Sequence, residues 1–294
     1  MEDLSVMKND VLRGPLPEKI IDFHVHLFPD KLFDAIWTYF EKDYGMDVIH
    51  RLYANQCIEY LRSKGVGTIV YSNYAHKKGV APYLNTWNRE LLDRTEDVYC
   101  FAAFHPDDDN ALEKARDIAR HPKVLGFKLQ LLVQRFYPHD ERLYGLYEMA
   151  MEMNKRILFH VGTGPVGNKY VGFDNFNKLL KRYPGLPANI AHMGALEFRE
   201  FFDLLDVHDR LYFDTAFCFL PRAAQMYNLG GDLLEHYKDR LLYGSDFPNI
   251  IFPAEEEIDC LVRMELSKEF YERVFYTNGR HLISQHSPEN HQVI

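Results

Sequence analysis

Apolar residues gather into eight short runs along the chain, each closed by a turn and followed by a stretch of helical period. The runs cover residues 19–26, 67–71, 98–105, 124–129, 156–161, 188–192, 211–214 and 241–245. Continuous apolar runs of this length, without strict alternation, mark strands buried on both faces of a parallel sheet. Between them, apolar positions recur every three or four residues over 111–120, 143–154, 175–183 and 196–205. Eight strand–helix units predict an α/β chain folded as one (β/α)8 barrel over residues 1–294, with its chemistry at the carboxyl ends of the strands. A doubly wound open sheet is the competing arrangement; it calls for a glycine-rich loop after the first strand, where His-Val-His-Leu-Phe-Pro stands instead.

The longest interval between strands, 31–66, predicts an inserted helical segment over the barrel mouth, with helices at 31–42 and 55–64. Beyond Asp246 the pattern predicts helices at 255–263 and 268–276, a terminal turn at 279–284 and a frayed end from 287 to 294.

Composition narrows the functional classes. A net charge of −9 argues against a nucleic-acid surface, and a bound anion would need local cations. No apolar run is long enough to span a bilayer, and MEDLSVMKND has no apolar core of a secretion signal. Cys57, Cys100, Cys218 and Cys260 form no C-x-x-C pair. They read as reduced, mostly buried thiols, which points to the cytoplasm.

The candidate chemistry stands at the strand ends. Ile20-Ile21-Asp22-Phe23-His24-Val25-His26 ends in His-x-His, and residues two apart on a strand share a face. His160 ends the fifth run, His192 the sixth, and Asp246 follows the eighth. His24, His26, His160 and Asp246 together offer three nitrogens and one oxygen. With an open position, that set suits one catalytic divalent ion, zinc first and manganese or iron after it. Such an ion activates water at neutral pH, and Asp246 and His192 would manage protons. Asp22 lies one layer deeper and reads as an acceptor for an imidazole or as a strand-start hydrogen bond. Asp246 has a competing reading as a helix cap before Pro248.

These phrases resemble a known family. DFHVHLFPD, GFKLQ, LFHVGTGP, NIAHMG and YGSDFP, in this order, are similar to the amidohydrolase superfamily. They look most like its amidohydrolase-related branch, which includes aminocarboxymuconate-semialdehyde decarboxylase-like enzymes. The resemblance implies a TIM barrel with His24, His26, His160 and Asp246 as ligands and His192 as acid/base. It implies that Lys128 stays a free ammonium beside one ion, the alternative being a carbamylated bridge between two. It also implies a homodimer. The expected activity is a metal-dependent hydrolase, activated water attacking a lactone, amide or related small-molecule carbonyl, with Lys128 stabilising negative charge. The alternatives are non-oxidative decarboxylation or hydration of a carboxylated substrate, for which Arg51, Lys128 and Arg135 are the clamp candidates, and a non-catalytic metal-binding barrel. His105, Asn73, Tyr74 and Asp214 end other runs and are candidate pocket residues, His105 with a competing reading as a helix cap before Asp107-Asp108-Asp109 and Asp214 read equally as a structural acceptor. Phe28, Trp37, Tyr39, Phe40 and Tyr44 read as an aromatic pocket cap or as core. The remaining histidines, His50 among them, read as surface.

Overall fold

A computed structural model describes residues 14–45, 48–164, 166–220 and 229–286. The segments read as lacking a secretion signal and as a frayed end lie outside the described residues. The strands are β1 (Ile20–His26), β2 (Val66–Ser72), β3 (Val98–Ala103), β4 (Val124–Gln130), β5 (Arg156–His160), β6 (Ala188–Ile190), β7 (Leu211–Asp214) and β8 (Leu241–Leu242). They form one parallel sheet in sequence order. The edge strands meet. Phe23 N donates to Tyr243 O at 2.8 Å, His26 N to Phe247 O at 2.8 Å, and Val25 bridges Phe247 in parallel. The sheet is therefore the (β/α)8 barrel that the alternating pattern predicts.

Helices return the chain between strands: α1 (Asp30–Tyr44), α2 (Ala54–Ser63), α3 (Val80–Arg94), α4 (Ala111–Ala119), α5 (Leu131–Gln134), α6 (Tyr144–Glu152), α7 (Phe173–Arg182), α8 (Phe198–Asp203), α9 (Gly231–His236), α10 (Glu255–Val262), α11 (Lys268–Glu272) and α12 (Asn278–Ser284). Their buried faces follow the helical period. In α2 the buried positions are Ala54, Cys57, Ile58 and Leu61, and Gln56 Oε1 accepts the Tyr53 N–H at 3.0 Å in the first turn. The helix expected at 268–276 is interrupted after Glu272 by a π turn over Arg273–Thr277. There Val274 O accepts the Tyr243 N–H, tying the turn to the β8 edge.

Two apolar layers result. Inside the barrel lie Ile21, Phe23, Val70, Phe101, Leu125, Leu158 and Leu242, closed at the strand starts by Leu282 and Ile283 of α12. A larger layer fills the space between sheet and helices. Burying large apolar side chains, at roughly 1.5–3 kcal/mol each, is the main term opposing chain entropy. Several runs are shorter as strands than expected, β3 ending at Ala103 and β5 at His160. β6 stops at Ile190 and β8 at Leu242, because the next residues leave the sheet to form the site. All four cysteines are free, and Cys57, Cys100 and Cys218 are buried. Among the described residues, no helix is long and apolar enough to cross a membrane.

Candidate metal centre

Asp246 reaches the first-strand histidines through the backbone. After β8 the chain runs along β1, and Asp246 N donates to His24 O at 2.7 Å. That approach needs Gly244, because a Cβ there would sit 2.6 Å from His24 Cβ. Asp246 then adopts φ 58, and its Oδ1 lies 2.9 Å from His26 Nε2 and 3.4 Å from His24 Nε2. No helix starts at Pro248; the next is α10, so the helix-cap reading of Asp246 is set aside.

His192 arrives by a different device. After β6 three successive residues, His192, Met193 and Gly194, take left-handed backbone angles with φ 57, 50 and 80. Such runs are costly for residues with a Cβ and persist where surrounding contacts enforce them. Here Asp214, at the end of β7, enforces the turn. Its Oδ1 accepts the backbone N–H of His192 at 2.9 Å and of Ala216 at 3.3 Å. The His192 ring packs at 4.9 Å from His160, 5.1 Å from His24 and 5.8 Å from Phe217.

The imidazole orientations test whether a metal fits. His24 Nδ1 lies 2.9 Å from Asp214 Oδ2, His26 Nδ1 3.2 Å from Ser72 Oγ, and His192 Nδ1 2.9 Å from Ala216 O. An imidazole that donates Nδ1–H to an oxygen keeps its Nε2 lone pair, the arrangement seen around metal-binding histidines. His24, His192 and Asp246 can each present a ligand atom within 4.8 Å of the others. Burial pushes the His24 and His160 imidazoles well below their ordinary value, with the Lys128 ammonium contributing in the same direction. Burial alone would raise the Asp246 carboxyl, but His24 and His26 outweigh it and keep the group ionised, below the ordinary carboxylate range. The donor set thus fits a divalent ion.

Lys128, on β4, is fully buried with Nζ 3.5 Å from His24 Nε2. Burial pushes its ammonium down to about 8, against the opposing pull of Asp214 and Asp246. Of the four expected ligands, His24 and His26 each approach Asp246, but the set whose ligand atoms all lie close together takes in His192 rather than His26, and His160 stands beside His192.

Several expectations change. Asp22 does not orient an imidazole. Its Oδ1 accepts the backbone N–H of His24 and of Ser245, and its Oδ2 accepts Ser245 Oγ–H at 2.5 Å, so it fastens β1 to the β8 turn. Burial pushes that carboxyl up to about 7. Asp214, read as equally a structural acceptor or a substrate contact, is the residue that holds both His24 and His192. Its signal was position at a strand end, which gives no hint of two partners. Asn73 is spent on Leu27 O and Asn88, and His105 accepts Asp107 N–H in a turn. Arg51 pairs with exposed Glu41. His50 is not a free surface ring; it packs 5.0 Å from Phe247 and 5.2 Å from Tyr60. Phe28 stacks on His26 and Tyr74 meets both edge-on, whereas Phe33 and Trp37 continue into the core.

Residues 21–283 match the family model described as amidohydrolase. No curated protein matches the sequence. Among solved structures, a 5-carboxyvanillate decarboxylase from Novosphingobium aromaticivorans with bound manganese superposes at TM-score 0.65 and 13% identity, covering 92% of this chain and 98% of that one. A dihydroxybenzoic acid decarboxylase from Polaromonas, also with manganese, gives 0.66 at 15%, covering 95% and 100%. A 4-oxalomesaconate hydratase from Rhodopseudomonas palustris gives 0.59 at 17%, covering 90% and 96%. At these identities the likeness establishes the shared fold.

Proposed function

This chain belongs to the amidohydrolase family, a metal-dependent superfamily, and from that premise we propose that it hydrolyses a small lactone or amide bearing a carboxylate. The observation that carries the reading is the convergence of His24, His192 and Asp246, with three Nδ1 atoms bound to oxygens and Lys128 buried behind. His24, His26, His160 and Asp246 would hold the ion, which leaves His192 free to move protons. Zinc is the first expectation, and the manganese in two structural neighbours supports testing that ion beside it. When bound, a divalent ion polarises a carbonyl and lowers the pKa of water from 15.7 to about 7.

The chain's own groups then divide the work. Asp246 is ionised and accepts a proton. His192, fixed through Nδ1, turns Nε2 to the site and returns one to the leaving group. Lys128, the clamp candidate buried beside His24, neutralises a substrate carboxylate. Phe28 and Tyr74 give the His26 side of the mouth an aromatic wall.

A second reading is non-oxidative decarboxylation, in which His192 delivers a proton to carbon. The buried cation of Lys128 supports it, as do decarboxylases and a hydratase among the neighbours. The test has two arms. Metal content is compared between the native protein and the double substitution His24→Ala/His26→Ala; undiminished metal sinks both readings. Carboxylated lactones, amides and aromatic acids are then screened, with ring opening or amine release supporting hydrolysis and carbon dioxide release supporting decarboxylation.

A further inference from the structure

At the opposite end of the barrel, where β5 and β7 begin and α12 packs, lies a cleft of about 490 Å³. Its walls include Asn154, Arg156, Arg210, Tyr212, His281 and Gln285. Arg156 is only 3% exposed. Its Nε donates to Asn189 Oδ1 at 2.5 Å, and its Nη2 to Ala188 O at 2.8 Å and Arg210 O at 2.7 Å. These bonds tie the starts of β5, β6 and β7 together, which is a structural use. Among the described residues, Nη1 makes no hydrogen bond to the protein.

The surrounding charge is unusual for a chain of net charge −9. The Arg156 guanidinium lies 5.0 Å from the Tyr212 ring centre and that of Arg240 lies 5.3 Å from the same ring. Arg210 donates to Asn154 Oδ1 on the cleft wall. Among the described residues no carboxylate pairs with any of these three. Asp209 lies on the rim, exposed, without an ion pair to them. Burial pushes the Arg156 guanidinium below its ordinary value, and Arg210 and Arg240 repel it further. Arg210 is pushed the same way by burial. Gathered, partly desolvated guanidiniums without a counter-charge are stabilised by any oxyanion that accepts their free N–H groups.

We propose that this cleft is a second ligand site, distinct from the metal centre, which takes a small oxyanion through Arg156 and Arg210. A carboxylate or a phosphate supplies the same acceptor oxygens. Leu282 and the Tyr212 ring give the cleft an apolar side for a compact organic body. The guanidiniums contact the oxyanion, and His281 and Gln285 line the α12 wall within the same cleft.

The full chain is titrated with inorganic phosphate and, separately, with benzoate, following thermal stability and calorimetry. Saturable binding is expected for at least one probe, with Arg210→Gln weakening it about tenfold or more and this Arg210-dependent component persisting in Lys128→Met. The relative strength of the two probes identifies the head group. Arg156→Gln removes strand ties and threatens the fold, so the decision rests on Arg210→Gln. Absence of saturable binding overturns the proposal, as does equal binding by Arg210→Gln. Loss in Lys128→Met with retention in Arg210→Gln overturns it too, by placing the anion at the catalytic mouth.

Discussion

Asp214→Asn isolates the orientation of one imidazole from the rest of the site. The native carboxylate accepts His24 Nδ1–H through Oδ2 at 2.9 Å and the backbone N–H of His192 through Oδ1 at 2.9 Å. Asparagine keeps an oxygen for the His192 and Ala216 N–H groups, so the left-handed turn is preserved. It replaces Oδ2 by an NH2, a donor facing Nδ1. His24 must then move its proton to Nε2, which removes the lone pair from the side facing Asp246 and Lys128. Loss of such a supporting acceptor weakens metal binding about 10–100-fold, or roughly 1.4–2.7 kcal/mol. The assay is calorimetric titration of chelator-stripped protein with zinc and with manganese, beside circular dichroism to confirm the fold. Affinity of Asp214→Asn within twofold of native would refute the assigned tautomer, and with it the claim that Nε2 of His24 is a ligand atom.

Three further outcomes follow from the same geometry. Lys155, whose Nζ donates to Val124 O at 2.6 Å, is pushed by burial from 10.5 to about 8. Between these pH values the unfolded chain binds more protons than the folded one, so stability rises with pH across that window. Its share is up to about 3 kcal/mol, and Lys155→Met should flatten a urea-melt series from pH 8 to 10.5. Burial pushes the Glu257 carboxyl well above the ordinary carboxylate range, and its Oε1 accepts the Phe219 N–H at 3.2 Å. Glu257→Gln should cost under about 1 kcal/mol and Glu257→Leu about 1–3 kcal/mol in denaturant unfolding, because only leucine orphans that N–H. Lys128→Met should retain the native metal content by elemental analysis while losing the preference for carboxylated over neutral substrate analogues; loss of an ion would identify Lys128 as a carbamylated bridge.

The legible part of the fold was the rhythm. Runs such as 124–129 and 156–161 lack alternation because both faces are covered, and that is visible in composition alone. The His-x-His and the strand-end residues were legible for a related reason: polar groups closing apolar strands stand out against their neighbours. What stayed hidden depends on partners distant in sequence. Asp22 and Asp214 are both aspartates on strands, yet one holds only backbone and serine groups while the other holds a ring and a turn. No local pattern separates them, because the difference lies in which strand faces which across the barrel. The strand end at Ile190 was hidden too. His192, Met193 and Ala195 have no intrinsic preference for positive φ; Asp214 and Ala216 impose the turn from β7.

The same contacts explain why this centre is built to receive charge from outside. The buried charge-bearing groups nearest the ion site are the Lys128 ammonium and the carboxyls of Asp214 and Asp246. With Asp214 and Asp246 both ionised and Lys128 charged, these three groups carry one excess negative charge in a region where unpaired charge is costly. A divalent cation reverses the balance to one excess positive charge, and a monocarboxylate then brings it to zero. Ion and substrate are thereby coupled: the ion lifts the penalty on the carboxylates, and the substrate anion lifts the penalty on the ion together with Lys128. A neutral substrate would leave the second penalty in place. A dicarboxylate held wholly inside would restore the first, so a second acidic group has to remain at the solvent side of the mouth. On the proposed function, discrimination by charge would be set beneath the substrate, at Lys128, and shape by the aromatic pair Phe28 and Tyr74 beside His26.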